Sequence, residues 1–222
     1  MRRYDLVFLV LAGFFLASLV LANAIVFKFV DIPLPFVGLV TISAGVLPYP
    51  VTFLCTDLIS EMYGKKRANA LVITGFVISV YMLLLLLLGR ALPVSHLQDE
   101  AIQEHYMAVF GQSARAIFGS MVAYLLAQLI DVRLYHFWRK LTSGKHLWLR
   151  NNASTMLSQL IDTTAVVMIL FYGVWPLPQI GAVILASYAY KLLVAVADTP
   201  LMYLGKWMFR DIEEESRGQG LL

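Results

Sequence analysis

The chain has 222 residues and a formal net charge of +3; 60% of its residues are hydrophobic, only 14% are charged, and the mean hydropathy is +0.76. Soluble domains are about 45–50% apolar and about 25% charged, and a fold of this size cannot bury so large an apolar surplus. The composition therefore excludes a soluble enzyme and a disordered or fibrous chain, and the single Cys55 excludes a disulfide-held secreted domain. We predict an integral membrane protein.

Six apolar stretches are long enough to cross a bilayer, which takes about 20 helical residues. They are residues 4–29, 36–59, 68–89, 113–132, 152–175 and 178–204. The connections between them are too short for a second folded domain, so residues 1–222 are predicted to form one all-α domain of six transmembrane helices. Arg2 and Arg3 precede the first stretch as in a signal peptide, but its apolar run exceeds a signal core of about 7–15 residues and predicts an uncleaved helix.

The basic residues predict the orientation of these helices. In a six-span arrangement most of the 17 lysines and arginines lie on the side that holds both termini. Basic loops stay in the cytoplasm, so both termini are predicted to be cytoplasmic, in the plasma (cell inner) membrane. The isoelectric point near 9.0 then needs no nucleic-acid partner. The predicted partners are the lipid bilayer and a small-molecule solute, and the many small residues also allow a homodimer.

The second stretch contains an expected break, because Pro48 and Pro50 lack amide donors and clash with the preceding turn. Irregular backbone at membrane depth is tolerated only against protein or a wet cavity, and broken helices recur at the binding sites of transporters. The alternative is a proline kink without a ligand. Beyond the break, Asp57 is a deep site candidate, whereas for Glu61 a helix-end ion pair with Lys65 is the favoured interpretation.

Polar stripes mark the fourth and fifth stretches. Gln128 and Asp131 share a face of the fourth, where Asp131 is expected near the cytoplasmic end, within reach of water. Four polar residues of the fifth stretch are spaced so that they share one sector of a helix. They are Asn152, Thr155, Gln159 and Asp162. Asp162 lies about 15–18 Å along this helix, near mid-membrane, where a carboxylate costs roughly 2.5–3.5 kcal/mol. We favour a functional role for Asp162 over a polar packing seam, which is the favoured interpretation for Ser158 and Thr163.

The last stretch carries Lys191 near mid-depth, with Asp198 on the same face and Tyr188 beside it. Lys191 and Asp198 are about 10.5 Å apart along the helix, so Lys191 needs an anion from another helix, and Asp162 is the obvious one. A structural ion pair and a pair that opens for a ligand or proton are both compatible with this pattern.

The sequence contains no recognisable catalytic motif. It has neither a phosphate-binding loop nor a His-Glu-x-x-His zinc motif, and Cys55 has the character of a packing residue. We therefore predict a protein that is not an enzyme and that has no cofactor and no metal site.

One long segment resembles a known family. Tyr49-Pro-Val-Thr-Phe-Leu-Cys-Thr-Asp-Leu-Ile-Ser-Glu-Met-Tyr-Gly-Lys65 is similar to the signature of the queuosine precursor transporters, also called vitamin uptake transporters. Further similarities cover most of the chain, from Asn23 to Tyr203. They are Arg115 with Gln128-Leu-Ile-Asp131, Asn152-Ala-Ser-Thr155 with Ser158-Gln-Leu-Ile-Asp-Thr163, and Tyr190-Lys191.

The resemblance implies a six-helix membrane fold like that of the substrate-binding subunits of energy-coupling-factor importers. It also implies import, by alternating access, of 7-cyano-7-deazaguanine and/or 7-aminomethyl-7-deazaguanine for tRNA queuosine salvage. For the donor edge of such a base we expect acceptors from Asp162, Gln159, Asn23 and Asn152, and Tyr49 or Tyr188 for stacking. The other candidates are Asp57, Gln128 and Lys191 for binding, and Glu61, Asp131 and Asp198 for coupling. The alternatives are uptake of another vitamin-like solute with a partner ATPase, and a non-transporting membrane scaffold.

Overall fold

The computed structural model describes residues 2–26, 28–34, 38–99, 101–110 and 114–218. Within them the chain is all-α apart from one hairpin. The elements in chain order are α1 Arg3–Ile25, β1 Phe29–Leu34, β2 Gly38–Ser43, a 3-10 turn at Ala44–Val46, α2 Tyr49–Tyr63, α3 Lys65–Ala91, α4 Ala101–Phe110, α5 Ala114–Leu141, α6 Leu147–Phe171, α7 Leu177–Met208 and α8 Arg210–Gly218.

Four of the described helices, α1, α3, α6 and α7, are long and apolar enough to cross a membrane. Their outward faces remain apolar: on α3, for example, Leu84 and Leu88 are exposed by 59% and 56%. Such a surface is stable against lipid and unstable against water. The fold is therefore that of a multi-pass membrane protein.

The prediction of a helical span over residues 36–59 is wrong in its first half. Residues 38–43 form a strand that pairs antiparallel with residues 29–34, and Thr41 donates a 2.7 Å hydrogen bond to Asp31 across the pair. Pro33 and the left-handed Gly38 (φ 89°) oppose a helix here, and alternating β-branched residues favour strands. For the same reason the first predicted span, residues 4–29, ends as a helix at Ile25.

The proline break is observed as the start of a helix. Pro48 caps α2 and Pro50 lies in its first turn, where a missing amide donor has no intrahelical partner to lose. The helix has 15 residues and so spans about 22 Å, less than the hydrocarbon thickness of about 30 Å.

The connections are shorter than the hydropathy pattern predicts. Helix α5 continues nine residues past the predicted boundary at 132, and α6 begins at Leu147, so only residues 142–146 connect them. Ser143 and His146 take left-handed conformations in this turn. The predicted loop between residues 90 and 112 contains α4.

Helix α2 is the central element of the fold. It packs against α1, α3, α5, α7 and α8, and its residues 52–63 are buried almost without interruption. Two neighbouring segments approach closely at glycines, where a larger residue would not fit. A Cβ on Gly205 of α7 would lie 2.6 Å from a methyl carbon of Leu58 in α2. At Gly45, just before α2, a Cβ would lie 2.7 Å from the carbonyl oxygen of Ala22 in α1.

The two ends of the described chain meet on one side of the bundle. Arg3 pairs with Asp211 of α8 at 3.1 Å, and the hydroxyl of Ser216 donates to that of Tyr4. The guanidinium of Arg67, at the start of α3, lies 4.9 Å from the centre of the Tyr4 ring. The amino-terminal start of α1, the start of α3 and α8 thereby meet at one end of the bundle, which we call the terminal end.

Candidate functional site

The centre of the candidate site is a buried ion pair between α6 and α7. Nζ of Lys191 donates a 2.7 Å hydrogen bond to Oδ2 of Asp162, and both residues are buried. The ammonium group also lies 4.4 Å from the centre of the Tyr49 ring on α2. The pairing predicted from the sequence is confirmed, and it brings three helices to one point.

Polar atoms without a partner surround this pair. Among the described residues, Oδ1 of Asp162 accepts no hydrogen bond, and neither amide atom of Gln159 has a partner. Gln159 is only 2% exposed and Asp162 is fully buried. Leaving a buried polar group unpaired costs about 1–3 kcal/mol, so such groups indicate a place where a ligand or water binds.

Three clefts follow one another along the site. The hairpin cleft, of about 480 Å³, is lined by Phe29, Ser43 and Gly45 on one side and by Asp162, Thr163 and Ser187 on the other. The central cleft, of about 270 Å³, contains Gln159, Thr155, Phe53, Tyr190 and Asp198. The third, which we call the Asp57 cleft, has about 210 Å³ and is lined by Asp57, Leu54 and Asn151.

Neighbouring clefts share lining residues. Tyr49 and Lys191 line both the hairpin cleft and the central cleft, while Phe53, Thr155 and Asp198 line both the central cleft and the Asp57 cleft. The cation–π contact between the Lys191 ammonium group and the Tyr49 ring therefore lies between the first two clefts. A solute that moved from the hairpin to Asp57 would pass Asp162, Gln159 and Asp198 in turn.

Four predicted binding residues do not line any of these three clefts. Asn23 donates to Ser79 at 3.3 Å, Gln128 to the Tyr124 hydroxyl at 2.7 Å, and Tyr188 to the carbonyl of Met156 at 3.2 Å. Asn152 donates to Thr199 and to the carbonyl of Trp148, so it ties α6 to α7. Contact of these four side chains with a solute stays a prediction.

Glu61 has different partners from the one predicted. Its carboxylate accepts hydrogen bonds from Arg150 and Lys206 and, at 3.0 Å, from the hydroxyl of Tyr135. Nε of Arg139 lies 4.0 Å away. The expected pair with Lys65 is wrong because α2 ends at Tyr63 and the positive φ of Gly64 turns the chain before Lys65. We call these five residues the Glu61 cluster; it joins α2, α5, α6 and α7 at the terminal end.

Asp131 is fully buried, which corrects the expectation that water reaches it. The reason is the extra length of α5, which places Asp131 inside the helix and not at its end. Its Oδ1 accepts a 2.8 Å hydrogen bond from Ser158, and its carboxyl group lies within hydrogen-bonding reach of Asp57 on α2.

Comparison with known proteins identifies the family. Residues 43–205 match the family described as "Putative vitamin uptake transporter". The chain belongs to this vitamin uptake transporter family. It is 31% identical over 177 residues to the "Probable queuosine precursor transporter" of Bacillus subtilis (strain 168), covering 79% of this chain and 76% of the relative. It is 27% identical over 184 residues to the "Queuosine precursor transporter" of Escherichia coli (strain K12), covering 78% and 76%. No solved structure gives a significant match.

Membership of a vitamin uptake transporter family makes the chain a transporter, as predicted, and not an enzyme. Among the described residues there is no group of three or more histidine, cysteine or acidic side chains that could hold a metal ion. The side chain of Arg115, one of the residues behind the resemblance, lies outside the part that the structure describes.

Sequence reasoning missed several residues of this vitamin uptake transporter's site. Arg150 lies between the predicted spans 113–132 and 152–175, yet it is fully buried in α6, and Asn151 rather than Asn152 lines a cleft. Thr163, assigned to packing, lines the hairpin cleft with an unpartnered hydroxyl. The available signal was the periodicity that continues backwards from Thr155 through Asn151 to Leu147, which marks one buried helix face.

Proposed function

We propose that this transporter imports queuosine precursors, 7-cyano-7-deazaguanine and/or 7-aminomethyl-7-deazaguanine, by alternating access across the plasma membrane for tRNA queuosine salvage. The names of the two curated relatives support this substrate class. With both termini in the cytoplasm, as the basic residues favour, the hairpin cleft faces outward and the Asp57 cleft lies toward the cytoplasm.

The observation that carries the proposal is the set of unpartnered polar atoms on Asp162 and Gln159, three residues apart on α6, of which Asp162 lines the hairpin cleft and Gln159 the central cleft. A guanine-like ring presents adjacent N–H donors beside a carbonyl oxygen. Oδ1 of Asp162 is a free acceptor, and the Gln159 amide supplies both an acceptor and a donor. A polar heterocycle bound here would give these buried groups the partners that they lack, whereas an apolar solute would leave them unpaired.

A heterocyclic ligand also needs a surface on which its ring can stack, and Tyr49 provides one. Its ring lies at the junction of the hairpin and central clefts, 5.6 Å from the ring of Tyr124 and 6.5 Å from that of Phe53. Stacking of a base on an aromatic side chain is worth about 1–3 kcal/mol. We assign stacking to Tyr49 in preference to Tyr188, whose hydroxyl is bonded to the backbone of α6.

Uptake of labelled 7-cyano-7-deazaguanine by cells that lack their own precursor synthesis tests the function directly. We expect uptake that depends on the transporter, restores queuosine in tRNA, and is not competed by an analogue methylated at N1. Gln159→Met should reduce uptake at least tenfold, whereas Leu160→Met, one residue away on an exposed face, should not. Absence of uptake by the unaltered protein would refute the proposal. Uptake of this solute that requires ATP and co-purified ATPase subunits would instead show that the transporter works with a partner ATPase module.

A further inference from the structure

Two buried acids lie against each other between α2 and α5. Asp57 is 2% exposed and Asp131 is fully buried, and their carboxyl groups are within hydrogen-bonding reach. Two ionised carboxylates in contact in a medium of low dielectric constant repel each other strongly. A stable contact of this kind requires one bound cation, and a proton shared between the two groups is the smallest.

The hydrogen bonds around the pair leave room for that proton. Oδ1 of Asp131 accepts from Ser158, but Oδ2 of Asp131 and Oδ1 of Asp57 are buried and have no donor among the described residues. Each carboxyl group thus retains one oxygen without a partner. A single proton held between the acids would serve both.

Among the residues that the structure describes, no basic side chain forms a salt bridge with either acid. The titratable groups that act on it are Asp198 of α7, Glu61 one turn along α2, and Tyr124 and Tyr135 of α5. Arg150 and Lys206, the cations that pair with Glu61 one turn along α2, are bound to that carboxylate. The pair also lacks the larger ligand group that a metal ion needs, since the described residues contain no cluster of three or more such side chains.

The pair is connected to the proposed solute route. Asp57 lines the Asp57 cleft, which shares Phe53, Thr155 and Asp198 with the central cleft. Tyr49 and Asp57 lie on the same short helix, eight residues or about 12 Å apart. A movement of α2 that changes the contact of Tyr49 with Lys191 also changes the distance between Asp57 and α5.

We propose that Asp57 and Asp131 form a proton-binding site and that the proton they share is carried inward with the solute. This inference rests on the proposed function for its solute. In each cycle one proton binds to the empty carboxylate pair from outside, and the same proton leaves to the cytoplasm after the solute.

The test separates solute exchange from gradient-driven accumulation in proteoliposomes. With the unaltered protein, an inward gradient of one pH unit should drive up to about tenfold accumulation, the limit for one proton per solute. Asp57→Asn and Asp131→Asn, which imitate the protonated acid in shape, should each abolish accumulation. Asp131→Asn, whose side chain lines none of the three clefts, should in addition keep exchange of labelled for unlabelled solute. Asp31→Asn, an exposed position in the hairpin, is the matched control and should behave as the unaltered protein.

A second measurement needs neither solute nor transport. In protein reconstituted in lipid, infrared difference spectra recorded across pH should contain a band from a buried protonated carboxyl group, and each of the two variants should remove it. A band that persists in both variants, or accumulation that follows a sodium gradient alone, would overturn the proton site. Failure of exchange by the unaltered protein would instead refute the proposed solute, while the infrared result would still decide the proton site.

Discussion

The buried pair of Asp162 and Lys191 gives the sharpest test of how this membrane protein combines stability with transport. Lys191→Ala removes the ammonium group and leaves a fully buried carboxylate with no cation. Removing one partner of a buried ion pair costs about 3–5 kcal/mol, because the remaining charge stays desolvated. We expect this variant to unfold at lower temperature in lipid or mild detergent, and to transport nothing.

Asp162→Asn should behave differently from Lys191→Ala. The asparagine oxygen still accepts from Nζ of Lys191, and the ammonium group keeps its contact with the Tyr49 ring at 4.4 Å. A desolvated cation–π contact is worth about 2 kcal/mol. The variant should therefore lose less stability than Lys191→Ala and still insert, but it should lose uptake, because the free acceptor Oδ1 becomes part of a neutral amide.

The double variant Asp162→Asn/Lys191→Ala separates charge from packing. If the uncompensated carboxylate causes the instability of Lys191→Ala, the double variant should recover most of the lost stability and still fail in uptake. Thermal unfolding of the four proteins, followed in parallel with solute uptake, measures both effects. Equal instability of Lys191→Ala and the double variant would refute the electrostatic argument, and uptake by the double variant would refute the role of Asp162 as a ligand.

Three further changes test other parts of the structure. Glu61→Gln should reduce the free energy of unfolding by about 3–5 kcal/mol, and so lower the unfolding temperature, because Arg150 loses a buried anion. Lys65→Gln, at an exposed position, should have little effect. Equal effects of the two changes would contradict the observed pairing. Gly45→Ala should reduce the free energy of unfolding by about 1–3 kcal/mol, because the added Cβ would collide with the backbone of α1. Gly13→Ala, where a Cβ meets nothing within 4 Å, is the control in the same unfolding assay. Tyr49→Phe should retain uptake because the aromatic face remains, while Tyr49→Leu should raise the KM at least fivefold; similar uptake kinetics for both would exclude stacking at this position.

The long helices and the central ion pair could be predicted from the sequence for simple physical reasons. A run of about 20 apolar residues has few alternatives to a membrane helix. A lysine and an aspartate at the same depth on different helices must find each other, since each is costly alone. Lys191 and Asp162 therefore meet as expected, and the resemblance around Asp57 led to the correct family.

The hairpin was missed because hydropathy does not distinguish a short apolar strand from part of a buried helix. Pro33 and Gly38 were the local signs of a turn, but the apolar residues beyond Gly38 run almost unbroken into α2. The partners of Glu61 were missed for another reason. They come from positions 74 to 145 residues away, and no local rule relates Glu61 to Tyr135, Arg150 or Lys206.

The Glu61 cluster has a consequence for how the protein is made. Glu61 leaves the ribosome early, whereas Arg150 and Lys206 belong to helices that are synthesised much later. The chain is synthesised from its amino terminus onward, so Glu61 is made before Arg150 and Lys206, the basic residues that bind it. The Glu61 cluster can therefore be completed only after Lys206 of α7 has been synthesised.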